Sequence, residues 1–219
     1  MKRHGFTLAE VLITLTIIGV VATLTLPALM TNTAEQQAKT SLKKGINTLI
    51  EAAHMSQAID GFDYASLTDD SSDKSEDKQS LYALLSKRTA VDYGKSGSGK
   101  IPTYQGSATS NSDNYAVFFR DGSALLFNET TAKSDGDALT VMEDNLVYGI
   151  PVIYDTNGAK GPNIVSNCNG NALGSATDTS TITECAKKDK RVIKDQFGVR
   201  LRGGVAVPNG AAARWAFEN

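Results

Sequence analysis

The sequence contains few of the residues that build catalytic or metal centres. Its 219 residues include two cysteines, two histidines, five prolines and one tryptophan. His54 lies alone in a predicted helix, without a companion for metal binding or for a catalytic triad. The formal net charge is −2, and no basic patch of the kind that marks a nucleic-acid surface is visible. The sequence therefore predicts neither an enzyme nor a nucleic-acid-binding protein.

Long apolar runs are also scarce, and the single one that reaches membrane-spanning length lies at the N-terminus. The run from Val11 to Met30 carries no charge, and as a helix it would be about 30 Å long, one hydrocarbon thickness. Lys2 and Arg3 precede this run, so the positive-inside rule places the N-terminus in the cytoplasm and the rest of the chain outside. The sequence therefore predicts a single-pass membrane protein.

Glu10 is the one acidic residue at the start of this apolar segment. A carboxylate costs about 2.5–3.5 kcal/mol at the centre of a spanning helix and less near its edge. An ordinary secretory signal does not fit, because the apolar run is too long and the following LPALMTNT is a poor cleavage site. A plain membrane anchor fits the length but leaves Glu10 without a role. Cleavage between Gly5 and Phe6 gives Glu10 a role, because the new α-amino group lies one helical turn from its carboxylate and can pair with it.

The segment GFTLAEVLITLTIIGVVATLTLPAL resembles the class III signal and N-terminal helix of type IV prepilins and type II secretion pseudopilins. The residues that carry the match are Gly5, Phe6, Thr7, Leu8, Glu10 and Pro27. The resemblance implies that a prepilin peptidase cleaves between Gly5 and Phe6 and methylates Phe6. It also implies that Glu10 acts in assembly and that Pro27 kinks the helix.

The same resemblance implies a function, partners and a location. The chain would be a structural subunit of a type IV pilus or a type II secretion pseudopilus, and not an enzyme. Its partners would be prepilin peptidase, copies of itself or other pilins and pseudopilins, and the inner-membrane assembly platform. It would sit in the bacterial cytoplasmic (inner) membrane with its head in the periplasm or at the cell surface, and would enter a filament on assembly. The alternative is a single-pass anchored binding protein or adhesin that uses the same sorting signal.

The remaining sequence predicts an α+β fold, in which a long N-terminal helix packs on an antiparallel β-sheet head, and the resemblance implies that this fold is of the pilin type. Apolar residues recur every three or four positions from Ala38 to Ala53, which indicates that the second half of the helix is amphipathic. The predicted divisions are a leader peptide at 1–5, a transmembrane and filament-core helix at 6–30, an amphipathic helix half at 31–60 and the globular head at 61–219.

Patterns within the head predict a short helix near residues 81–85, followed by a meander of strands. Two apolar runs flank the turn Asp121-Gly122 and indicate a hairpin. Pro151 indicates that its strand lies at an edge or contains a bulge. The residues after the last strand are predicted as a tail. The strands are expected at 115–119, 124–128 and 146–155, and near 191–193 and 205–207.

The loop DTNGAKGPN at residues 155–163 places oxygen-bearing side chains around a glycine turn. Such ligands suit Ca²⁺, and the loop resembles loops in the heads of some pseudopilins, a family with calcium-binding members. The candidate ligands are Asp155, Asn157, Asn163 and the more distant Asp195. The loop lacks the terminal bidentate acid of an EF-hand. The alternative is an ordinary turn whose side chains bond to the local backbone. No other cofactor is expected.

Cys168 and Cys185 are expected to form a disulfide. Both lie in the head, which the topology places outside the cytoplasm, where disulfides form and persist. Closing the polar loop between them contributes about 3 kcal/mol by restricting the unfolded chain. The family resemblance implies the same pairing, because many pilin heads close a C-terminal loop with a disulfide. The alternatives are two buried free thiols, or half of a metal site that lacks nearby histidine or further cysteine.

Overall fold

A computed structural model describes the protein at residues 5, 7–75, 78–100, 114–128, 140–142, 145–147, 149–170 and 181–219. The chain divides into two compact units, residues 1–37 and residues 38–219. The helices are α1 (Leu8–Ile59), α2 (Leu81–Arg88), α3 (Ile182–Cys185) and α4 (Ala211–Glu218). The strands are β1 (Gly97–Ser98), β2 (Asn114–Phe118), β3 (Ala124–Asn128), β4 (Thr140–Met142), β5 (Asn145–Val147), β6 (Ile150–Asp155), β7 (Gln196–Arg202) and β8 (Val205–Pro208).

The long N-terminal helix is present, and it ends where the sequence predicts. The backbone N–H groups of Asp60 and Gly61 both donate to the carbonyl of Ser56, at 2.7 and 3.1 Å. Gly61 has a φ of +79°, a left-handed conformation that glycine adopts readily and that commonly follows the last residue of a helix. The glycine therefore stops α1 and turns the chain toward α2.

Six strands form one antiparallel sheet in the order β1-β2-β3-β6-β7-β8. The strands β4 and β5 pair with each other and form a second, two-stranded sheet inserted between β3 and β6. Each neighbour in the larger sheet is also the next of its strands along the chain. The predicted α+β architecture, with a helix followed by an antiparallel meander, is confirmed.

The hairpin of β2 and β3 forms around the predicted turn. Phe118 pairs with Ala124 across its end. Inside the turn, one carboxylate oxygen of Asp121 accepts hydrogen bonds from the backbone N–H of Ser123 at 3.0 Å and from its hydroxyl at 2.7 Å. Gly122 has a φ of +94°, which a side chain would oppose. The Asp-Gly pair therefore supplies both the local hydrogen bonds and the backbone conformation of the turn.

The single strand predicted at 146–155 is instead two strands in different sheets. β5 ends at Val147 and pairs with β4, whereas β6 begins at Ile150 and pairs with β3 and β7. Gly149, between them, has a φ of +134°, and a Cβ there would lie 2.5 Å from the carbonyl oxygen of Leu201. Pro151 pairs with β7, and the register with β3 covers only residues 153–155. Pro151 thus lies in the first part of β6, which pairs with β7 and precedes the residues that pair with β3.

Two predictions near the C-terminus are wrong. Residues 191–193 form no strand and contribute one isolated bridge, Asn167 with Val192, whereas the long strand β7 follows at Gln196–Arg202. The predicted tail after residue 208 is the helix α4. Alternating Phe197, Val199 and Leu201 are fully buried and give β7 its inward face. The alanine-rich start of α4 favours a helix by propensity.

The core lies between the sheet and the amphipathic part of α1. Fully or nearly fully buried residues of the helix face the inner side of the sheet and α2; on the helix they are Ala38, Leu42, Ile46, Leu49, Ala52 and Ala53. Gly45 lies at the closest approach, because a Cβ there would be 2.2 Å from Cζ of Tyr154 on β6. The hydroxyl of Tyr64 donates to the carbonyl of Leu49 at 2.8 Å. The predicted packing of this half of the helix on the head is therefore confirmed.

The outer face of the sheet is buried as well. A second cluster there joins Phe118, Leu126 and Ile153 to Val165, which lies on the segment after the loop 155–163. Because both faces are covered, the strands β2 and β3 are apolar at nearly every position instead of alternating. The loop 155–163 is consequently held between the sheet and the segment that leads to Cys168.

Candidate functional site

The first turn of α1 holds Glu10 by a reciprocal pair of contacts with Thr7. The backbone N–H and the hydroxyl of Thr7 both donate to Oε2 of Glu10 at 2.8 Å, and the backbone N–H of Glu10 donates to Oγ1 of Thr7 at 3.3 Å. This is a capping box, which satisfies backbone donors at a helix N-terminus. The sequence signal for this box is Thr-x-x-Glu, which is present as Thr7-Leu8-Ala9-Glu10.

The stretch of α1 from Leu8 to Leu26 is long and apolar enough to cross a membrane, and none of it is buried inside the protein. Its large side chains are mostly exposed, from 45% at Val11 to 79% at Leu8. The hydroxyl of Thr16 donates to the carbonyl of Leu12 at 2.7 Å, and those of Thr14, Thr23 and Thr25 bond likewise to the preceding turn. The hydroxyls therefore add no unsatisfied donor to this apolar surface.

Gly5 is exposed, and Phe6 lies outside the described residues. Cleavage between them and methylation of Phe6 therefore remain predictions. The helix assignment is continuous through Pro27, and the predicted kink there also remains a prediction.

Asp195, the most distant of the predicted ligands, forms hydrogen bonds with the loop that carries the other three. Its two carboxylate oxygens accept from the backbone N–H groups of Asn163 at 2.7 Å and Ile164 at 2.9 Å. Its carbonyl accepts from the backbone N–H of Thr156 at 2.8 Å and from the hydroxyl of Thr156 at 2.9 Å. Asp195 thus ties both ends of the loop 155–163 to the start of β7.

Asp155 is completely buried at the end of β6. Its Oδ1 accepts from the backbone N–H of Asn157 at 3.0 Å, and its Oδ2 accepts from Nε2 of Gln196 at 2.9 Å. Burial raises the pKa of this carboxyl to about 7, against a usual 3.8, and the charge of Asp195 adds to the rise. The two hydrogen bonds act in the opposite direction. Asp155 is therefore a carboxyl that titrates near neutrality.

The amides of the loop face its own backbone. Asn157 Nδ2 lies 3.5 Å from the carbonyl of Gly161. With its amide nitrogen turned inward, Asn163 donates to the carbonyls of Lys160 at 2.8 Å and Gly158 at 3.1 Å. These contacts are those of an Asx-type turn, the alternative to a calcium loop. Across the described part of the chain, no three His, Cys, Asp or Glu side chains group closely enough to hold a metal ion. Calcium binding by Asp155, Asn157, Asn163 and Asp195 stays a prediction.

The predicted disulfide between Cys168 and Cys185 is formed, with a Cα–Cα distance of 4.8 Å. Both cysteines are completely buried, and they pack with Ala211 and Ala212 at the start of α4. The backbone N–H of Gly170, just after Cys168, also donates to the carbonyl of Lys190, just after Cys185, at 2.8 Å. The disulfide therefore anchors the segment before β7 against the start of the C-terminal helix.

A second group near the disulfide was not anticipated from the sequence. Trp215 of α4 contacts Lys39 of α1 and Arg191 of the turn after Cys185. These residues are far apart in the chain and belong to no motif, so only their packing reveals the group. The sequence offered one signal, a lone tryptophan in an otherwise alanine-rich helix.

Comparison with known proteins identifies the N-terminal segment. Residues 1–26 match the prokaryotic N-terminal methylation motif, which supports a type IV prepilin-like class III signal peptide and confirms the resemblance. The curated proteins and the solved structures contain no significant match to this chain. The motif indicates a structural substrate protein instead of an enzyme, and it implies processing by prepilin peptidase and assembly with other pilins.

Proposed function

Because the chain carries a type IV prepilin-like signal, we propose that it is a structural subunit of a type IV pilus or a type II secretion pseudopilus. The observation that carries this proposal is the motif at residues 1–26, placed on a helix whose apolar side chains have no partner inside the described protein. A peptidase would cleave between Gly5 and Phe6 and methylate Phe6. The helix would then lie in the bilayer until assembly, and among the helices of other subunits afterwards.

The exposed apolar surface of α1 suits both a lipid bilayer and a bundle of helices from other subunits. Its large exposed side chains are Leu8, Val11, Leu12, Ile13, Leu15, Ile17, Ile18, Val20, Val21, Leu24 and Leu26. Full burial is worth about 1.5–3 kcal/mol for each such side chain, and these are on average about 60% exposed, so removing the set from water is worth roughly 10–20 kcal/mol. A lipid bilayer provides that burial, and so does a bundle of like helices. The surface therefore suits a subunit that moves from one to the other.

The geometry of Glu10 supports a role in assembly. Both donors of Thr7 meet the same oxygen, Oε2. Among the described residues, no bond to Oε1 accompanies them, so this oxygen is available to an ammonium group. Cleavage before Phe6 would create that group next to Thr7, and methylation keeps it cationic. The carboxylate and the ammonium can pair within one subunit or between neighbours. Their attraction then offsets the free-energy cost of placing each charge in an apolar core.

The location and the remaining partners follow from the same proposal. Lys2 and Arg3 would keep the N-terminus in the cytoplasm, so the head would face the periplasm or the cell surface. The disulfide supports a head outside the cytoplasm, because such bonds persist in oxidising compartments. The inner-membrane assembly platform would extract the subunit from the bilayer.

The experiment that tests the proposal replaces Glu10 with alanine in a strain that assembles the filament. Glu51→Ala is the matched control, because Glu51 is an exposed glutamate on the same helix. We expect the Glu10 variant to be cleaved and inserted in the membrane but to yield few or no filaments by electron microscopy and shearing. The control should assemble normally.

Normal filament levels in the Glu10→Ala strain would count against the assembly role. They would favour the alternative, a single-pass anchored binding protein or adhesin, because a solitary receptor does not need a charge between subunits.

A further inference from the structure

A cavity of about 220 Å³ lies in the head between α1 and the turn that joins β2 to β3. Its lining comes from four parts of the chain, which are α1, the segment just after α2, the β2–β3 turn and β6. None of the lining residues belongs to the motif at residues 1–26 or to the loop 155–163. The cavity is therefore separate from both sites described above.

Contacts between its walls fix the shape of this cavity. The backbone N–H of Arg120 donates to the carbonyl of Ala90 at 2.8 Å, which joins the β2–β3 turn to the segment after α2. Nζ of Lys44 donates to Oδ2 of Asp121 at 2.7 Å, which joins the same turn to α1. The cavity is therefore part of the packed head, and its three outer walls are tied together.

The floor of the cavity is apolar and partly aromatic. Leu49, Phe119 and Tyr154 line it, and their exposed fractions are 1%, 9% and 2%. Gly45 lets the ring of Tyr154 approach α1, because a Cβ there would lie 2.2 Å from Cζ of the ring. Burial raises the pKa of the Tyr154 hydroxyl, so the floor carries no charge near neutral pH. Such a floor favours an aromatic group over a charged one.

The mouth of the cavity is cationic. Lys44 and Arg120 line it and are exposed, and Asp121 is the one acidic residue of the lining. One carboxylate oxygen of Asp121 accepts from Lys44, and the other accepts from Ser123. Among the described residues, no carboxylate forms an ion pair with Arg120. The mouth therefore has a net positive charge and presents a guanidinium to a ligand.

The size of the cavity restricts the ligand to about one ring. An engineered cavity of about 150 Å³ holds benzene, whereas sites for drug-sized ligands are about 300–1,000 Å³. At about 220 Å³, this cavity has room for one aromatic ring with a short chain attached. Because the charged side chains lie at the mouth, an anionic group at the end of that chain would meet them.

We propose that this pocket binds a compact aromatic carboxylate, with its ring on the floor and its carboxylate at Arg120. Lys44 keeps its bond to Asp121 and donates a second hydrogen to the ligand, because an ammonium has three donors. The same chemistry has two sources, a free aromatic acid or the end of a protein chain whose last residue is phenylalanine. The inference concerns the head alone, so it does not depend on the proposed filament function.

The test is a titration of the full-length, ¹⁵N-labelled protein in detergent micelles with 3-phenylpropionate at neutral pH. The chemical shifts of the backbone amides report where the probe binds. For a ligand of this size we expect a dissociation constant on the order of a few millimolar. The amides of Gly45, Leu49, Arg120 and Gly122 should shift with one common constant. Shifts confined to residues 8–26 would show partition of the probe into the micelle only, and would overturn the proposal.

Two further probes separate the charge from the source. 3-Phenylpropionamide has the same ring and chain without the charge, and it should bind at least about 3-fold more weakly than the acid. Equal binding of the acid and the amide would overturn the proposal. An N-acetylated Gly-Gly-Phe peptide with a free carboxylate carries the same chemistry at the end of a chain. Tighter binding of the peptide than of the acid assigns the pocket to a protein terminus, and equal or weaker binding assigns it to a free acid.

Variants at the mouth should change the affinity in opposite directions. Arg120→Gln should raise the dissociation constant about 3- to 10-fold, because the carboxylate loses its counter-charge. Asp121→Asn should lower it about 2- to 5-fold, because a competing negative charge is removed. The amide oxygen of the asparagine can still accept from Ser123, which preserves the turn. Arg202→Gln is the matched control, since Arg202 is exposed and lies outside the cavity lining, and it should change nothing.

Filling the cavity tests the floor. Ala90→Trp places a large side chain at an exposed position of the lining and should abolish binding. Ala58→Trp is the matched control, because Ala58 is also exposed but lies outside the lining. Amide shifts of β6 and β7 that match those of the parent show that both variants fold. Undiminished binding to Ala90→Trp would overturn the proposal, and so would changes of the same sign in Arg120→Gln and Asp121→Asn.

Discussion

Replacing Asp155 with asparagine should remove much of the pH dependence of folding stability in this protein. The pKa of the folded carboxyl is about 7, whereas the value in the unfolded chain is near 3.8. Between these values the folded protein holds a proton that the unfolded chain has released. The free energy of unfolding must therefore fall as pH rises from about 4 to about 7.

The size of the effect follows from the difference between the two pKa values. At 1.36 kcal/mol for each pH unit, a difference of about three units corresponds to about 4 kcal/mol of stability that is present below pH 4 and lost above pH 7. Asparagine stays neutral throughout this range and can still accept from the backbone N–H of Asn157. Its amide nitrogen cannot accept from Nε2 of Gln196, a loss of about 1 kcal/mol. Above pH 7 the variant should therefore be more stable than the parent by about 3 kcal/mol.

The assay is denaturant unfolding of the full-length protein in micelles from pH 4.5 to pH 8, with a chelator present. Asp189→Asn, which changes an exposed acid after Cys185, is the matched control and should keep the slope of the parent. Equal slopes for the parent and Asp155→Asn would refute the reasoning, because they would show that Asp155 is not the group that titrates.

Adding calcium extends the same assay to the predicted metal site. A cation that binds the ionised carboxylates of Asp155 and Asp195 stabilises the folded state by about 2.7 kcal/mol at a hundred times its dissociation constant. We expect this gain above pH 7 in the parent and its absence in Asp155→Asn. Identical unfolding curves with and without calcium would leave the loop 155–163 as an Asx-type turn.

Two further predictions concern covalent chemistry. Mass spectrometry of the membrane form should find a chain that begins with methylated Phe6, and Gly5→Val should block this cleavage; a mature N-terminus after Met30 would contradict both. Thiol counting on the denatured, unreduced protein should find no free thiol, and the double replacement of Cys168 and Cys185 by alanine should lower stability by about 3 kcal/mol. Two reactive thiols in protein taken from its native compartment would contradict the disulfide.

The elements that could be predicted from the sequence are those whose signal is local. The apolar period of α1, its end near residue 60 and the Asp121-Gly122 turn each depend on a few neighbouring residues, and the structure contains all three. β7 also carries a local signal, the alternation of Phe197, Val199 and Leu201, but the glycine and arginine between them obscured it. Gly198 is required by packing, since a Cβ there would lie 2.5 Å from the carbonyl oxygen of Asn209.

The contacts that make the sites are non-local and could not be predicted. Asp195 meets Asn163 and Ile164 because β7 runs beside β6, and Asp155 is fully buried because the segment near Val165 covers the outer face of the sheet. The composition of the loop 155–163 predicts oxygen ligands for a metal ion, and this stays a prediction. It did not indicate that the carboxylates of Asp155 and Asp195 already accept hydrogen bonds from backbone N–H groups.

The order of elements along the chain has a consequence for folding kinetics. The apolar stripe of α1 at residues 38–53 is synthesised before every strand that covers it, and β7, one of the central strands, is among the last. A chain that emerges N-terminus first cannot cover the whole of this stripe until residue 202 has left the ribosome or the translocation channel. Loop closure over such a separation slows folding, and the waiting stripe favours aggregation. Folding of the head is therefore expected to be post-translational, and a holdase chaperone that binds amphipathic helices should raise its yield.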